Sequence, residues 1–200
     1  MTESRIQELG KIAAELRDFK ESPLYEYRIE NDYLPVIGSG DPNAAIMFIG
    51  EAPGENEAES GQPFVGAAGR VLDELLASIG LKRENVYITN IVKDRPPKNR
   101  DPRPVEVELY APFLERQIAI IQPEVIATLG RFSMEFVLDL LKMPQLGQKI
   151  GDLHGQQLEG AAGYGKVTVV PLYHPASGFY NRSLRAAMEE DVLALKPFVK

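Results

Sequence analysis

The residues best suited to chemistry stand in one short turn. In residues 45–57, AIMFIGEAPGENE, an apolar run leads directly into GEAPG, which contains Glu51, and Glu55 and Glu57 follow. Glycine-rich turns can cradle phosphate, but this one is followed by no Gly-Lys-Ser/Thr and lacks G-x-G-x-x-G, so phosphate binding is disfavoured. A plain strand-to-helix turn is the alternative, because Gly and Pro punctuate most loops.

Three further side chains are candidates for the same site. Asn90 ends the run NVYITN, Phe64 lies in GQPFVG, and His174 precedes proline in HPASGFYNR. A side-chain amide offers a hydrogen-bond donor and an acceptor together. Each residue also has an ordinary structural interpretation: Asn90 as a turn former, His174 as a structural histidine and Phe64 as a core residue. Convergence of all three at one place in the fold would favour a site.

The elements that must position these residues alternate between strands and helices. Apolar runs predict strands at 44–50, 85–90, 125–130 and 167–173, and spacings of three and four predict helices at 6–19, 66–79, 104–121, 131–142 and 183–198. This order predicts an α/β fold, a three-layer α/β/α sandwich with a central, mostly parallel four-stranded sheet, formed by one domain over residues 1–200. Ligands bind beyond the carboxyl ends of such strands, where the candidate residues converge.

The composition limits the function. The chain of 200 residues contains no cysteine, which excludes disulfides and thiolate metal sites, and its two histidines argue against a histidine-rich metal site. Neither a bilayer-spanning run nor a secretory signal is visible, so we expect a monomeric cytoplasmic protein without a membrane partner. The net charge of −7 argues mildly against a nucleic-acid partner, yet residues 93–103, KDRPPKNRDPR, hold five basic residues against two acidic ones.

Five segments carry a resemblance to a known family. They read IGEAPGENE, SGQPFVGAAGRVLDELL, VYITNIVKDRPPKNRDP, VIATLG and HPASG. In combination they resemble the family 4 uracil-DNA glycosylases, the iron–sulfur branch of the uracil-DNA glycosylase superfamily. The resemblance implies a base excision repair enzyme that flips uracil out of single- or double-stranded DNA, hydrolyses the N-glycosidic bond and leaves an abasic site. A glycosylase with altered base choice, such as deaminated purines, and a non-catalytic DNA-binding relative stay open as alternatives.

The resemblance assigns roles in binding the base. Phe64 matches the aromatic residue that stacks on the flipped base. Asn90 matches the amide that pairs with O4 and N3–H of uracil, a pattern that cytosine reverses. The backbone of Ala52, Pro53 and Gly54 is expected to line the pocket, where small residues let the main chain approach the nucleotide.

The resemblance also assigns the catalytic roles. His174 matches the histidine that donates to uracil O2, and it would act best as a neutral donor. Glu51 is favoured for stabilising the cationic sugar or positioning the water. Glu57 is expected to shape the pocket where a thymine methyl would enter, or to share the water. In the best-known branch of the superfamily, the water-activating aspartate stands at the position of Ala52.

Contacts to the DNA strand are expected from two places. Phe179 sits where the family inserts an apolar residue into the duplex, and Tyr180 stands where the family often has arginine. The candidate phosphate contacts are Lys93, Arg95, Lys98, Arg100 and Arg182.

One departure from the family is conspicuous. Its members usually hold an iron–sulfur cluster with four cysteines, and those positions are Phe19, Ser22, Asp94 and Tyr110 here. We therefore expect no cluster, and no other cofactor or metal. The hypothesis is that Phe19 and Tyr110 fill the vacated volume while Asp94 accepts hydrogen bonds from Ser22, Tyr110 or nearby backbone.

Overall fold

A computed structural model describes residues 2–179 and 181–199, so that Tyr180 lies outside the described residues. It contains one six-stranded sheet with the strand order β1-β3-β2-β4-β6-β5. The strands are β1 (Ser39–Gly40), β2 (Ile46–Gly50), β3 (Tyr87–Asn90), β4 (Val125–Leu129), β5 (Leu158–Ala162) and β6 (Gly165–Leu172). The pairs of β2 with β3, β2 with β4, and β4 with β6 are parallel, which confirms the four predicted strands and their direction.

Within the described residues, eight helices connect and flank these strands. They are α1 (Thr2–Arg17), α2 (Tyr25–Glu30), α3 (Glu55–Ser60), α4 (Ala67–Ser78), α5 (Pro104–Ile121), α6 (Arg131–Leu140), α7 (Ile150–Leu153) and α8 (Arg182–Asp191). Five of them (α1, α4, α5, α6 and α8) lie close to the predicted positions, whereas the short helices α2, α3 and α7 were not predicted. Short 3₁₀ turns occupy Arg83–Asn85, Pro97–Asn99, Pro175–Gly178 and Val192–Phe198. In the part of the chain that the structure describes, no helix combines the length and apolar character that crossing a bilayer requires.

The predicted three layers arise because the central strands are buried on both faces. Residues of β2 alternate between two cores, with Met47 and Ile49 in one and Ile46 and Phe48 in the other. The first core contains buried residues of α1, α5 and α6, and the second contains those of α4 and α8. Side chains alternate across a strand, so an all-apolar strand needs helices on both faces.

The sheet is wider than predicted because two antiparallel strands extend its edges. β1 pairs with β3 over only two residues, and β5 pairs with β6 along the sequence LEGAA. These strands lack the β-branched and aromatic residues that make a strand visible in a sequence. The missed strands lie at the margins, so the order of the central strands and their carboxyl edge are unaffected.

Candidate active site at the carboxyl edge of the sheet

The carboxyl ends of β2, β3 and β6 open into one cavity of about 380 Å³. Gly50 at the end of β2 lies beside Asn90 at the end of β3, and His174 follows β6 by two residues. The structure brings together all eight residues predicted to act in catalysis or base binding. The cavity is lined by Glu51, Ala52, Pro53, Gly54, Glu57, Phe64, Ala68, Asn90, Pro96, Asn99, Arg100, His174 and Ala176.

Asn90, which lines this cavity, has an amide oxygen without a hydrogen-bond partner among the described residues. The residue is 2% exposed, and its Oδ1 has no hydrogen-bond partner within residues 2–179 and 181–199. A buried acceptor left unpaired costs about 1–3 kcal/mol, so this oxygen is suited to a donor supplied by a ligand. A Cβ at Gly50 would lie 2.3 Å from Asn90 Oδ1 and 2.7 Å from Phe64 Cζ, so glycine is required beside the amide and the ring.

Phe64 holds its ring in the site through an unusual backbone conformation. Its φ of 52° lies in the left-handed region, which bulky residues rarely adopt. The Glu57 carboxylate accepts hydrogen bonds from the next two amides, Val65 N at 3.0 Å and Gly66 N at 2.9 Å. The Phe64 ring centroid lies 6.0 Å from that of His174. Glu57 therefore fixes the loop that carries the ring.

His174 is held as a neutral hydrogen-bond donor. Its Nδ1 accepts a hydrogen bond from Ala176 N at 3.2 Å, so the proton of the neutral ring resides on Nε2. Burial lowers the pKa of the imidazole, and the charge of Glu57 opposes that shift. The neutral Nε2–H is therefore the form available to a ligand at neutral pH.

Glu51 is a carboxyl with an unusual affinity for its proton. Burial and, to a smaller extent, the nearby charge of Asp101 together raise the pKa of Glu51 to about 7, against the opposing charge of Arg131. The carboxyl therefore changes charge near neutral pH. Asp101 and Arg131 were not predicted from the sequence. The only sign of Asp101 was its place as one of two acidic residues in the basic segment 93–103.

Two of the predicted phosphate contacts are buried in the structure. Lys93 is 0% exposed, and its Nζ donates to Thr89 Oγ1 at 2.7 Å, Asn90 O at 2.6 Å and Gln117 Oε1 at 2.6 Å. Burial lowers the pKa of this amine well below its usual range. Arg95 is 8% exposed and donates to Glu55 at 2.8 Å and to Asn99 at 2.8 Å. Lys93 is therefore wrong as a phosphate contact, whereas Arg95 forms an ion pair with the exposed Glu55 and its contact with DNA stays a prediction.

The other predicted DNA contacts lie nearer the surface. Arg100 lines the cavity, but its guanidinium bonds both oxygens of Glu106, at 2.8 and 2.5 Å. Lys98 and Arg182 are exposed, and the Phe179 side chain is 43% exposed. Lys98, Arg182 and Phe179 therefore stay candidates for contact with DNA.

The four positions that correspond to cluster cysteines come together in the structure. The Tyr110 hydroxyl donates to Asp94 Oδ2 at 2.6 Å and lies 2.8 Å from Ser22 Oγ, and the Phe19 ring packs edge-on to Tyr110 with centroids 5.5 Å apart. Arg28, which sequence reasoning missed, places Nε 3.4 Å from Asp94 Oδ1. A phenyl ring, a hydroxyl, a carboxylate and a phenol do not fit an iron–sulfur cluster, whose ligands are thiolates.

Comparison with known proteins identifies relatives that match most of the chain. The family model described as "Uracil DNA glycosylase superfamily" matches residues 37–195. The type-4 uracil-DNA glycosylase of Sulfurisphaera tokodaii is 44% identical over 92% of this chain and 81% of its own length, and that of Archaeoglobus fulgidus is 43% identical over 93% and 90%. A type-4 uracil-DNA glycosylase of Thermotoga maritima is 42% identical over 82% of this chain and 83% of its own length.

Proposed function

This chain belongs to the uracil-DNA glycosylase superfamily, and we propose that it flips uracil out of DNA and hydrolyses the N-glycosidic bond to leave an abasic site. The observation that carries this proposal is the unpaired Asn90 Oδ1, buried in a cavity with an aromatic ring, a neutral histidine and a carboxyl. Uracil supplies the donor that this oxygen lacks.

Base recognition follows from the two ends of the Asn90 amide. Oδ1 accepts the N3–H of uracil, and Nδ2 donates to O4. Cytosine presents an acceptor at N3 and a donor at N4, so both interactions would become repulsive. A site built around a buried amide rejects such a ligand strongly, because its own polar groups would lose their partners. The Phe64 ring recovers part of the stacking energy that flipping costs.

Departure of the base requires charge stabilisation on both fragments. Negative charge develops on uracil O2, to which the His174 Nε2–H donates as a neutral group fixed in this tautomer by Ala176. Positive charge develops on the sugar, where the Glu51 carboxylate stabilises it or positions the attacking water. Glu57 Oε1 bonds two backbone amides, which supports a role in shaping the pocket.

Substitution of Asn90 tests this proposal through the choice of base. Wild-type protein should release uracil from a single-stranded oligonucleotide and leave cytosine in the matched oligonucleotide untouched. Asn90→Asp, when its carboxyl is protonated, can reverse the hydrogen-bond pattern and should release cytosine, whereas the control Asn90→Ala should release neither base efficiently. Release of uracil by Asn90→Ala at the wild-type rate would contradict the proposed recognition.

A further inference from the structure

Arg83 lies outside the cavity and forms hydrogen bonds to the loop that carries Phe64. This residue lies in the 3₁₀ turn Arg83–Asn85, which precedes β3, and it does not line the cavity. Its Nη1 donates to Phe64 O at 2.8 Å and to Asp73 Oδ1 at 3.0 Å, and its Nη2 donates to Pro63 O. A planar guanidinium can bind two carbonyls at once because its donors form a rigid fork.

The loop is held on its other side by an opposite charge. The Glu57 carboxylate accepts from the amides of Val65 and Gly66, while Arg83 donates to the carbonyls of the two residues before them. A cation at the carbonyls and an anion at the amides give charge-assisted hydrogen bonds on both sides of one loop. Arg83 and Glu57 together therefore hold the four consecutive residues 63–66 through two carbonyls and two amides.

These hydrogen bonds hold the backbone of Phe64 in its strained conformation. A left-handed conformation of a bulky residue persists only where the surroundings enforce it. The approach is so close that a Cβ at Gly69 would lie 1.7 Å from Phe64 O. Without the Arg83 fork, the two carbonyls would lose their charged partner, and the backbone would relax towards common conformations that move the ring away from Gly50 and His174.

We propose that Arg83 is a positioning residue that presets the Phe64 ring for stacking on the flipped base, an inference that rests on the proposed function. Arg83 acts through Phe64 and touches no reacting atom. Removing the Arg83 guanidinium should therefore impair uracil release, which uses the Phe64 ring. It should have no effect in a variant that already lacks this ring.

The kinetic test compares single-turnover uracil release in wild type and five variants. Arg83→Gln should lower the rate constant at saturating protein about tenfold or more, as expected when a positioning contact is lost. The rate constant of Arg83→Lys should lie between those of wild type and Arg83→Gln, because an ammonium keeps the positive charge but lacks the planar pair of donors that binds both carbonyls. The control Asp73→Asn keeps both carbonyl contacts and should match wild type. In a Phe64→Ala background, Arg83→Gln should cause no further loss, and a further loss of the full size would overturn the proposal.

A second test reads the loop without any turnover. The chain contains no tryptophan, so Phe64→Trp places in the cavity a single tryptophan, which can be excited selectively over the eight tyrosines. Adding Arg83→Gln should lower its anisotropy, and adding Asp73→Asn should not. Hydrogen exchange of the Val65 and Gly66 amides in otherwise wild-type protein should accelerate about tenfold in Arg83→Gln. Unchanged exchange and anisotropy would overturn the proposal even if uracil release proceeds, whereas a mobile loop in a protein that releases no uracil would refute only the proposed function.

Discussion

Ionisation of Glu51 should control the pH dependence of base release. Burial, with a contribution from Asp101, raises the pKa of this carboxyl to about 7. Only the carboxylate can stabilise a cationic sugar or accept a proton from water. The logarithm of kcat/KM should therefore rise with pH at a slope of about one below pH 7 and reach a plateau above it, because kcat/KM reports the pKa of the free protein.

The size of the effect follows from that pKa. At pH 6 about one-tenth of Glu51 is ionised, so release should be about tenfold below the plateau, and at pH 5 about a hundredfold below it. Burial lowers the pKa of the His174 imidazole from its usual 6.5, so the imidazole stays neutral above pH 6.5 and the inflection near pH 7 belongs to Glu51. Glu51→Gln should abolish the inflection and lower the plateau.

Neighbouring charges provide a sharper perturbation. Asp101→Asn removes a charge that raises the pKa of Glu51 and should shift the inflection to lower pH, and Arg131→Gln should shift it to higher pH. The assay is uracil release from a single-stranded oligonucleotide between pH 5 and 9 at constant ionic strength. Glu84→Gln, which changes the net charge as Asp101→Asn does at an exposed site, is the control. If neither Asp101→Asn nor Arg131→Gln moves the inflection, the pH profile cannot be assigned to Glu51.

Two buried groups give predictions about stability. Lys93→Met leaves the Asn90 carbonyl and Gln117 without their donor and should lower the free energy of unfolding by about 1–3 kcal/mol in urea titrations. The salt dependence of DNA binding should stay that of wild type, because Lys93 contacts no phosphate. A shallower salt slope in the variant would contradict this and show that Lys93 does contact a phosphate. Burial raises the pKa of Asp94 from 3.8 to about 6, so the folded state binds this proton more tightly than the unfolded state. The contribution of Asp94 to stability is therefore greatest below pH 4 and is lost as the pH rises through 6, by up to about 3 kcal/mol. Asp94→Asn should remove this fall from urea titrations at pH 4 and 7, and an unchanged pH dependence would contradict the raised pKa.

The sequence predicted the features that depend on repeated local patterns. The apolar run 125–130 and its neighbours indicated parallel strands, and the shared carboxyl edge then placed Glu51, Asn90 and His174 together. β5 was missed because LEGAA has small side chains and gains its strand conformation from pairing with β6. Edge strands of this kind are defined by the partner and leave little trace in their own residues.

Charged residues were less predictable than apolar ones. Lys93 and Arg95 stand in a basic segment and were expected at the surface, yet their partners Gln117 and Glu55 come from distant parts of the chain. Long-range contacts of that kind decide whether a cation is solvated or buried, and composition does not reveal them. The packing of Tyr110 with Asp94 was predicted, because the family resemblance already placed those positions around one point.

Uracil excision with His174 as the donor to the leaving base is tested most directly by measuring base release and DNA binding side by side in wild type and His174→Ala. The oligonucleotides should carry uracil, hypoxanthine, xanthine or thymine, single-stranded or opposite guanine or adenine, and abasic sites should be revealed by alkali. We predict release of uracil by wild type and a loss of about a hundredfold or more in His174→Ala, with DNA affinity nearly unchanged. Intact DNA binding without release of uracil by the wild-type protein, or equal losses of release and binding in His174→Ala, would contradict the account.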